Sequence, residues 1–441
     1  MSSPLSVMIT GVRMKKDLGK GLLRGAVIVL GLNLVYFLLI TAVFLLPVGA
    51  RVRLNVTQSL YTWQEGRETE GPVFDDNRIL WNDTRAEMQM ADIAVTEAGA
   101  PLLRGVSLYW LFLPDEGDPA PVRQYKSLAL AVSDPENASL SVESYERYWF
   151  LIAGVLRLLY CFLTVGEIRW LLQAAGLLLS VWLFARVFRL LGARGVIPLA
   201  LAFVSRSLIM NMTYAATAMD VYVAILSMIA LTYLYGTAWF RRNRLYYYLV
   251  LGSVTFAAGP FISPLLTLGM TLLMEIQLAG KEDKSKDAWA EVVSCSITRV
   301  LGYGLTMLCK ALISMVLVRQ SDGFGIAAGY MGAENALTPA ERIGRVFYCV
   351  ERLLMPVQAG ALIALLFAMI WIIATVKYGV KWNRSLLLTL AVSLYPVLWV
   401  LVVAEHAVHD YAVTIFAVTV YGIAAVCANF TGDGGAKKQK R

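Results

Sequence analysis

The chain has 441 residues, 58% of them hydrophobic and only 16% charged, and its mean hydropathy is +0.62. A soluble domain cannot hide that much apolar surface, so the composition points to an integral membrane protein. The net charge of +8 comes from short basic runs between apolar segments, with no basic cluster interleaved with aromatics, which argues against a nucleic-acid partner.

In chain order, the first apolar run covers residues 25–47, and Lys15, Lys16, Lys20 and Arg24 precede it. It is too long for a signal-peptide core, and no convincing small-x-small cleavage site comes after it. It therefore reads as an uncleaved first span with residues 1–24 in the cytoplasm. Residues 50–147 are polar and hold 16 acidic against 9 basic residues, the reverse of the whole chain. They form the greater part of an expected extracytoplasmic segment over 49–167. Within it, residues 145–163 have aromatics at the start and Arg157 in the middle, the pattern of an interfacial amphipathic helix. Counting that stretch as a span would reverse the charge alternation downstream.

Further apolar spans fall near 168–188, 196–214, 219–238, 246–259, 261–278, 294–318, 356–376, 386–404 and 411–430. Basic residues gather in alternate connections: Arg186, Arg189 and Arg194; Arg241, Arg242 and Arg244; Lys281, Lys284 and Lys286; Lys377, Lys381 and Arg384; and the tail at 431–441. The positive-inside rule then gives an all-α polytopic protein of about ten transmembrane helices. Residues 168–430 are its membrane bundle, and both termini are cytoplasmic. The "AAGPFISP" stretch, with two prolines and a glycine, interrupts the 246–278 pair. The five cysteines are scattered, mostly inside apolar runs, and form no Cys-x-x-Cys, so they read as membrane-buried thiols.

A charge inside a spanning helix costs about 2.5–3.5 kcal/mol on insertion scales, so each one calls for a reason. Lys310 lies mid-span, either paired with a neighbouring helix or facing a cavity that holds an anion such as a phosphate. Asp220 near a helix end reads as an N-cap-like residue. In the segment after the first span, Asp75, Asp76, Asp83, Glu87 and Asp92 are dense. Such a run is either a solvated face or a source of general base and divalent-metal ligands. The only two histidines, His406 and His409, stand three apart between two apolar runs. They share a helical face, as an interfacial pair or as donors to phosphate or sugar, and with no third ligand near by they are a weak zinc signal. Asn55, Asn82 and Asn137 stand in Asn-x-Ser/Thr triplets, which matter only in a eukaryotic secretory membrane.

The ordered set "RYWFLIAGVLRLLYCFLTVGEIRWLLQ", "FISPLLTLGMTLL", "GYGLTMLCKALI" and "EHAVHDYAVTIFAV" resembles bacterial multi-pass proteins of the GT-C glycosyltransferase superfamily over most of residues 20–430. The resemblance implies transfer of a sugar from a polyprenyl-phosphate donor to a glycan or protein acceptor outside the bacterial plasma membrane. It implies a carboxylate base in the first outer loop, here Asp83, or Asp75 or Asp76. Arg157, Lys310, His406 and His409 become the donor-phosphate candidates; the divalent metal that the acidic run could hold would be Mg or Mn. The chain departs from the pattern at Arg85, where relatives carry the second acid of "TDA", and at Glu405 and Ala407, where Asn and Ser are more usual. A non-catalytic envelope protein or transporter on the same scaffold is the alternative. Internal repeats, which would favour a transporter, do not stand out, and glycine-rich phosphate loops are absent.

Overall fold

The computed structural model describes residues 4–69, 78–114, 120–146, 148–204, 207–259, 264–280, 288–318, 337–354, 384–402 and 416–430. Helices dominate: α1 (Pro4–Leu45), α2 (Ala50–Thr69), α3 (Arg78–Val95), α4 (Pro101–Ser107), α5 (Ala120–Ser133), α6 (Leu151–Leu159), α7 (Val165–Leu191), α8 (Ala193–Val204), α9 (Ser207–Asn211), α10 (Ala215–Leu234), α11 (Ala238–Ala258), α12 (Pro264–Ala279), α13 (Ala288–Leu317), α14 (Pro339–Leu354), α15 (Arg384–Ser393), α16 (Tyr395–Val402) and α17 (Ala417–Phe430). Strands β1 (Trp110–Phe112) and β2 (Ser141–Glu143) pair antiparallel, with Leu111 opposite Val142.

By length and apolar composition, five stretches among the described residues are fit to cross a membrane: Lys20–Leu45, Val165–Leu191, Thr217–Leu234, Ala288–Leu317 and Arg384–Val402. Shorter apolar helices cover Ala193–Val204, Leu265–Ala279 and Ala417–Ala428. The chain is thus a helical, multi-pass membrane protein. The sequence-derived span at 356–376 lies outside the described residues.

Several boundaries differ from the hydropathy reading for local reasons. The helix expected from residue 246 starts at Ala238, because the Thr237 hydroxyl caps it by accepting from the Phe240 N–H at 3.1 Å. The 386–404 span divides into α15 and α16 around Leu394, since Pro396 has no N–H to donate to the preceding turn. The N-terminus of α7 carries a reciprocal capping box, in which the Glu167 carboxylate accepts from the Thr164 N–H at 2.7 Å.

Two large apolar cores hold the molecule. One joins the later part of α7 to α8, α10, α12 and α17 through residues such as Leu183, Met228, Met270 and Val418. The other joins α1, α2, α3 and α6 to the start of α7 and to parts of α10, α11 and α13, around Ile40, Met90, Trp149 and Phe256. The segment between the first two spans is therefore seated on the bundle. Helices α11 and α13 cross closely. A Cβ at Gly252 would stand 2.0 Å from the Arg299 carbonyl oxygen, and one at Gly302 would stand 2.0 Å from the Leu249 carbonyl oxygen. Only glycine lets the two backbones approach so closely, the small-residue device of membrane helix pairs.

All five cysteines are free thiols, with Cys295, Cys349 and Cys427 buried.

Candidate functional site

The acids nominated from the sequence fall in and before α3. Asp75 and Asp76 lie outside the described residues, and Asp83 stands in the second turn of α3, its side chain also undescribed. One turn later, Glu87 is fully buried. Its Oε2 accepts from Arg169 Nη2 at 2.6 Å, Arg169 Nε at 3.1 Å and Trp63 Nε1 at 3.2 Å. Its Oε1 accepts from the N–H of Ala215, the first residue of α10, at 3.4 Å. The Arg169 guanidinium in turn lies 4.9 Å from the Tyr214 ring centroid. A carboxylate at a helix N-terminus with both oxygens engaged is an anchor, and Glu87 fastens α3 to α7 and α10.

Asp92 is a second buried acid on α3. Its Oδ1 accepts from the Leu111 N–H at 3.2 Å and from the Thr96 hydroxyl at 3.1 Å, while Oδ2 has no hydrogen-bond partner. Burial dominates and pushes this carboxyl up to about 7, against the lowering effect of those two bonds.

Arg157 belongs to a nine-residue helix, α6, that is mostly buried. Its guanidinium donates to the carbonyl of Ala94 at 3.0 Å and to the carbonyl of Leu46, and it lies 4.9 Å from the Phe44 ring centroid. Desolvation lowers it to about 10. Lys310 is fully buried on α13. Its ammonium donates to the Val106 carbonyl at 2.5 Å and to Ser314 Oγ at 3.1 Å, and lies 5.0 Å from the Trp149 ring centroid. Trp149 itself donates to Asn33 Oδ1 on α1 at 2.9 Å. Both cations nominated for a donor phosphate thus spend hydrogen bonds on carbonyls of the chain. His406 and His409 lie outside the described residues.

A further charged group emerges one step deeper. Arg299, Tyr303, Thr306, Lys310 and Ser314 are all buried, and their spacing of three and four puts them on one face of α13. Arg299 Nη2 donates to Thr267 Oγ1 on α12 at 3.0 Å, and its guanidinium lies 5.4 Å from the Tyr303 ring centroid. Asp220 is buried within electrostatic reach of both Arg299 and Tyr303. It is no N-cap, because α10 starts five residues earlier with Tyr214 at the cap. Tyr303 packs edge-on against Phe256 at 5.1 Å, and Phe256 meets Tyr148 at 5.5 Å. A guanidinium, a carboxylate and a shelf of aromatic rings therefore share one interior region that reaches Tyr148. The sequence signal for it was an arginine inside the expected 294–318 span, the same kind of anomaly that singled out Lys310.

The chain matches no protein-family model, no curated protein and no solved structure.

Among the described residues no three of His, Cys, Asp and Glu stand together as metal ligands, so none of them is assigned to Mg or Mn. Asn55 is buried and donates to the Tyr160 carbonyl at 2.8 Å, which removes it as a glycosylation acceptor in the folded chain. Chemically, the buried Arg299 guanidinium is set against the Asp220 carboxylate, each offsetting the cost of burying the other.

Proposed function

We propose that the chain is a membrane glycosyltransferase of the GT-C type, moving a sugar from a polyprenyl-phosphate donor to a cell-envelope glycan or protein acceptor. In this reading about ten spans cross a bacterial plasma membrane, both termini are cytoplasmic, and residues 49–167 form the extracytoplasmic part. The observation that carries it is the buried polar face of α13, where Arg299 stands with Asp220 and Tyr303 under that segment. A guanidinium held inside a spanning helix is costly, and charges kept at such cost mark pathways for charged ligands.

The chemistry divides among these groups. Asp83, or Asp75 or Asp76, takes the proton of an acceptor hydroxyl whose oxygen bonds to the anomeric carbon. The bond from that carbon to the phosphate oxygen breaks, and the polyprenyl phosphate leaves with the electron pair. Arg299, together with His406 and His409, stabilises the departing anion. Arg157 and Lys310 act by positioning, since their hydrogen bonds clasp the segment to the bundle.

The test is complementation of a deletion strain with Asp83→Asn, Arg299→Met and Arg299→Lys, reading envelope glycan and membrane abundance together. The expected result is loss of the glycan with Asp83→Asn at normal abundance, loss with Arg299→Met that exceeds any fall in abundance, and partial rescue with Arg299→Lys. Full restoration of the glycan by Asp83→Asn and Arg299→Met would overturn the proposal.

One observation favours a non-catalytic envelope protein instead: Glu87, Arg157 and Lys310 are all bound within the chain, as bracing groups would be. On that reading every Asp83 and Arg299 variant that reaches normal abundance leaves the glycan unchanged.

A further inference from the structure

Away from that region, α14 is the most sharply two-faced of the described helices. Its start is fixed by a capping box: Glu341 Oε2 accepts from the Thr338 N–H at 2.7 Å, and Thr338 Oγ1 accepts from the Glu341 N–H at 3.3 Å. One face is taken up by packing, with Cys349 buried and Val346 and Tyr348 set against Val400, Phe416 and Val397. On another face Ile343 and Phe347, four apart and therefore neighbours on the helix, are 51% and 69% exposed.

Arg342 sets the depth of this face. Its Nη1 donates to the carbonyls of Leu401 at 2.8 Å and Val402 at 3.1 Å. Those carbonyls belong to the Arg384–Val402 stretch, one of those fit to cross the membrane, and stand four and three residues before Glu405, where the apolar run of the sequence stops. Carbonyls at the end of a span sit where hydrocarbon gives way to headgroups. The first turn of α14 is held at that level. Val402 is itself 67% exposed and Leu398 54% exposed, the apolar surface that a span presents to lipid. Ile343 adjoins Arg342 in sequence, so the apolar face of α14 begins beside that surface.

We infer that α14 is an interfacial helix whose Ile343–Phe347 face is seated in the boundary between lipid headgroups and acyl chains. Lipid is the occupant because the carbonyls that hold α14 lie just before the apolar run gives way to Glu405, on a stretch whose exposed flank, Leu398 and Val402, is apolar. Amphipathic helices of this kind bury their apolar side chains in that zone while the charged ones stay at the water. The inference rests on the chain being a membrane protein and is independent of any sugar-transfer activity.

The test introduces the photocrosslinker p-benzoylphenylalanine singly at positions 341, 343 and 347 of the full chain, in nanodiscs of phosphatidylcholine and phosphatidylglycerol. Monodisperse elution checks that each variant is folded, and the adducts are identified by mass spectrometry. Phospholipid adducts should predominate at 343 and 347 and be scarce at 341. Adducts at 343 and 347 to another part of the chain or to a second copy would overturn the inference, and so would an absence of lipid adducts there.

Discussion

Replacing Gly302 by Ala tests whether the α11–α13 crossing holds the charged face of α13 in position. The added methyl would stand 2.0 Å from the Leu249 carbonyl oxygen, whereas real Cβ contacts essentially never fall under 3.0 Å, so the backbones must part by at least 1.0 Å. The oxygen is main chain on a packed helix and cannot swing aside. Overpacking of this kind costs about 1–3 kcal/mol. Ala in a helix interior recovers up to about 1 kcal/mol over Gly, so the net destabilisation should reach about 2 kcal/mol at most. Gly304, two residues on, is the control: a Cβ there meets nothing within 4 Å, so Gly304→Ala keeps the propensity gain without the clash. Thermal unfolding in detergent micelles should show a lowered midpoint for Gly302→Ala and an unchanged or slightly raised one for Gly304→Ala. Gly252→Ala presses the same two helices apart, and the double variant with Gly302→Ala should cost less than the sum of the two. The reasoning fails if Gly302→Ala and Gly304→Ala unfold alike.

Lys310→Met should lower membrane abundance by destabilising the fold by about 1–3 kcal/mol, since the buried Val106 carbonyl loses its donor; abundance equal to the unaltered protein would count against the clasp. For the Glu87–Arg169 pair, the double variant Glu87→Ala/Arg169→Met should be more stable than Glu87→Ala alone, which leaves a part-buried guanidinium uncompensated; a double-mutant cycle of unfolding midpoints reads this directly. Asp92 contributes a pH dependence of definite sign. Its carboxyl is raised to about 7 in the fold, so its contribution is most favourable below the ordinary carboxylate value, declines as pH rises through the interval up to about 7, and is flat above it. Asp92→Asn should remove that decline from a stability profile between pH 5 and 8, and an unchanged slope would refute it.

The long spans were legible because α1, α7, α10 and α13 each carry enough consecutive apolar residues to declare themselves. Helix beginnings were less so. The first turns of α11 hold Arg241, Arg242 and Arg244, which a hydropathy window treats as loop, whereas a threonine cap extends the helix through them. The depth of Lys310 could be read from its neighbours in sequence, but its partner could not. A main-chain carbonyl has no residue type, and Val106 is 204 positions away. For the same reason the two carbonyls that Arg157 engages could not be read from its local pattern. The join of Glu87 to Arg169 spans 82 positions, and nothing in either local pattern pairs them. Arg299 was within reach of sequence reasoning, since it stands in an apolar run as Lys310 does; its significance comes from Asp220, which only the tertiary fold, with α11 and α12 packed against both α10 and α13, brings near.

The two carbonyls that Arg157 engages have a bearing on how the polypeptide is made. Leu46 directly follows α1 and Ala94 belongs to the last turn of α3, while their shared donor emerges 111 and 63 residues later. During synthesis both helix ends wait with exposed acceptors until that arginine arrives. A nascent chain stopped short of residue 157 therefore has every apolar contact among α1 to α5 at its disposal and still lacks the latch that closes them. Arrested chains ending before and after this position should differ abruptly in protease resistance.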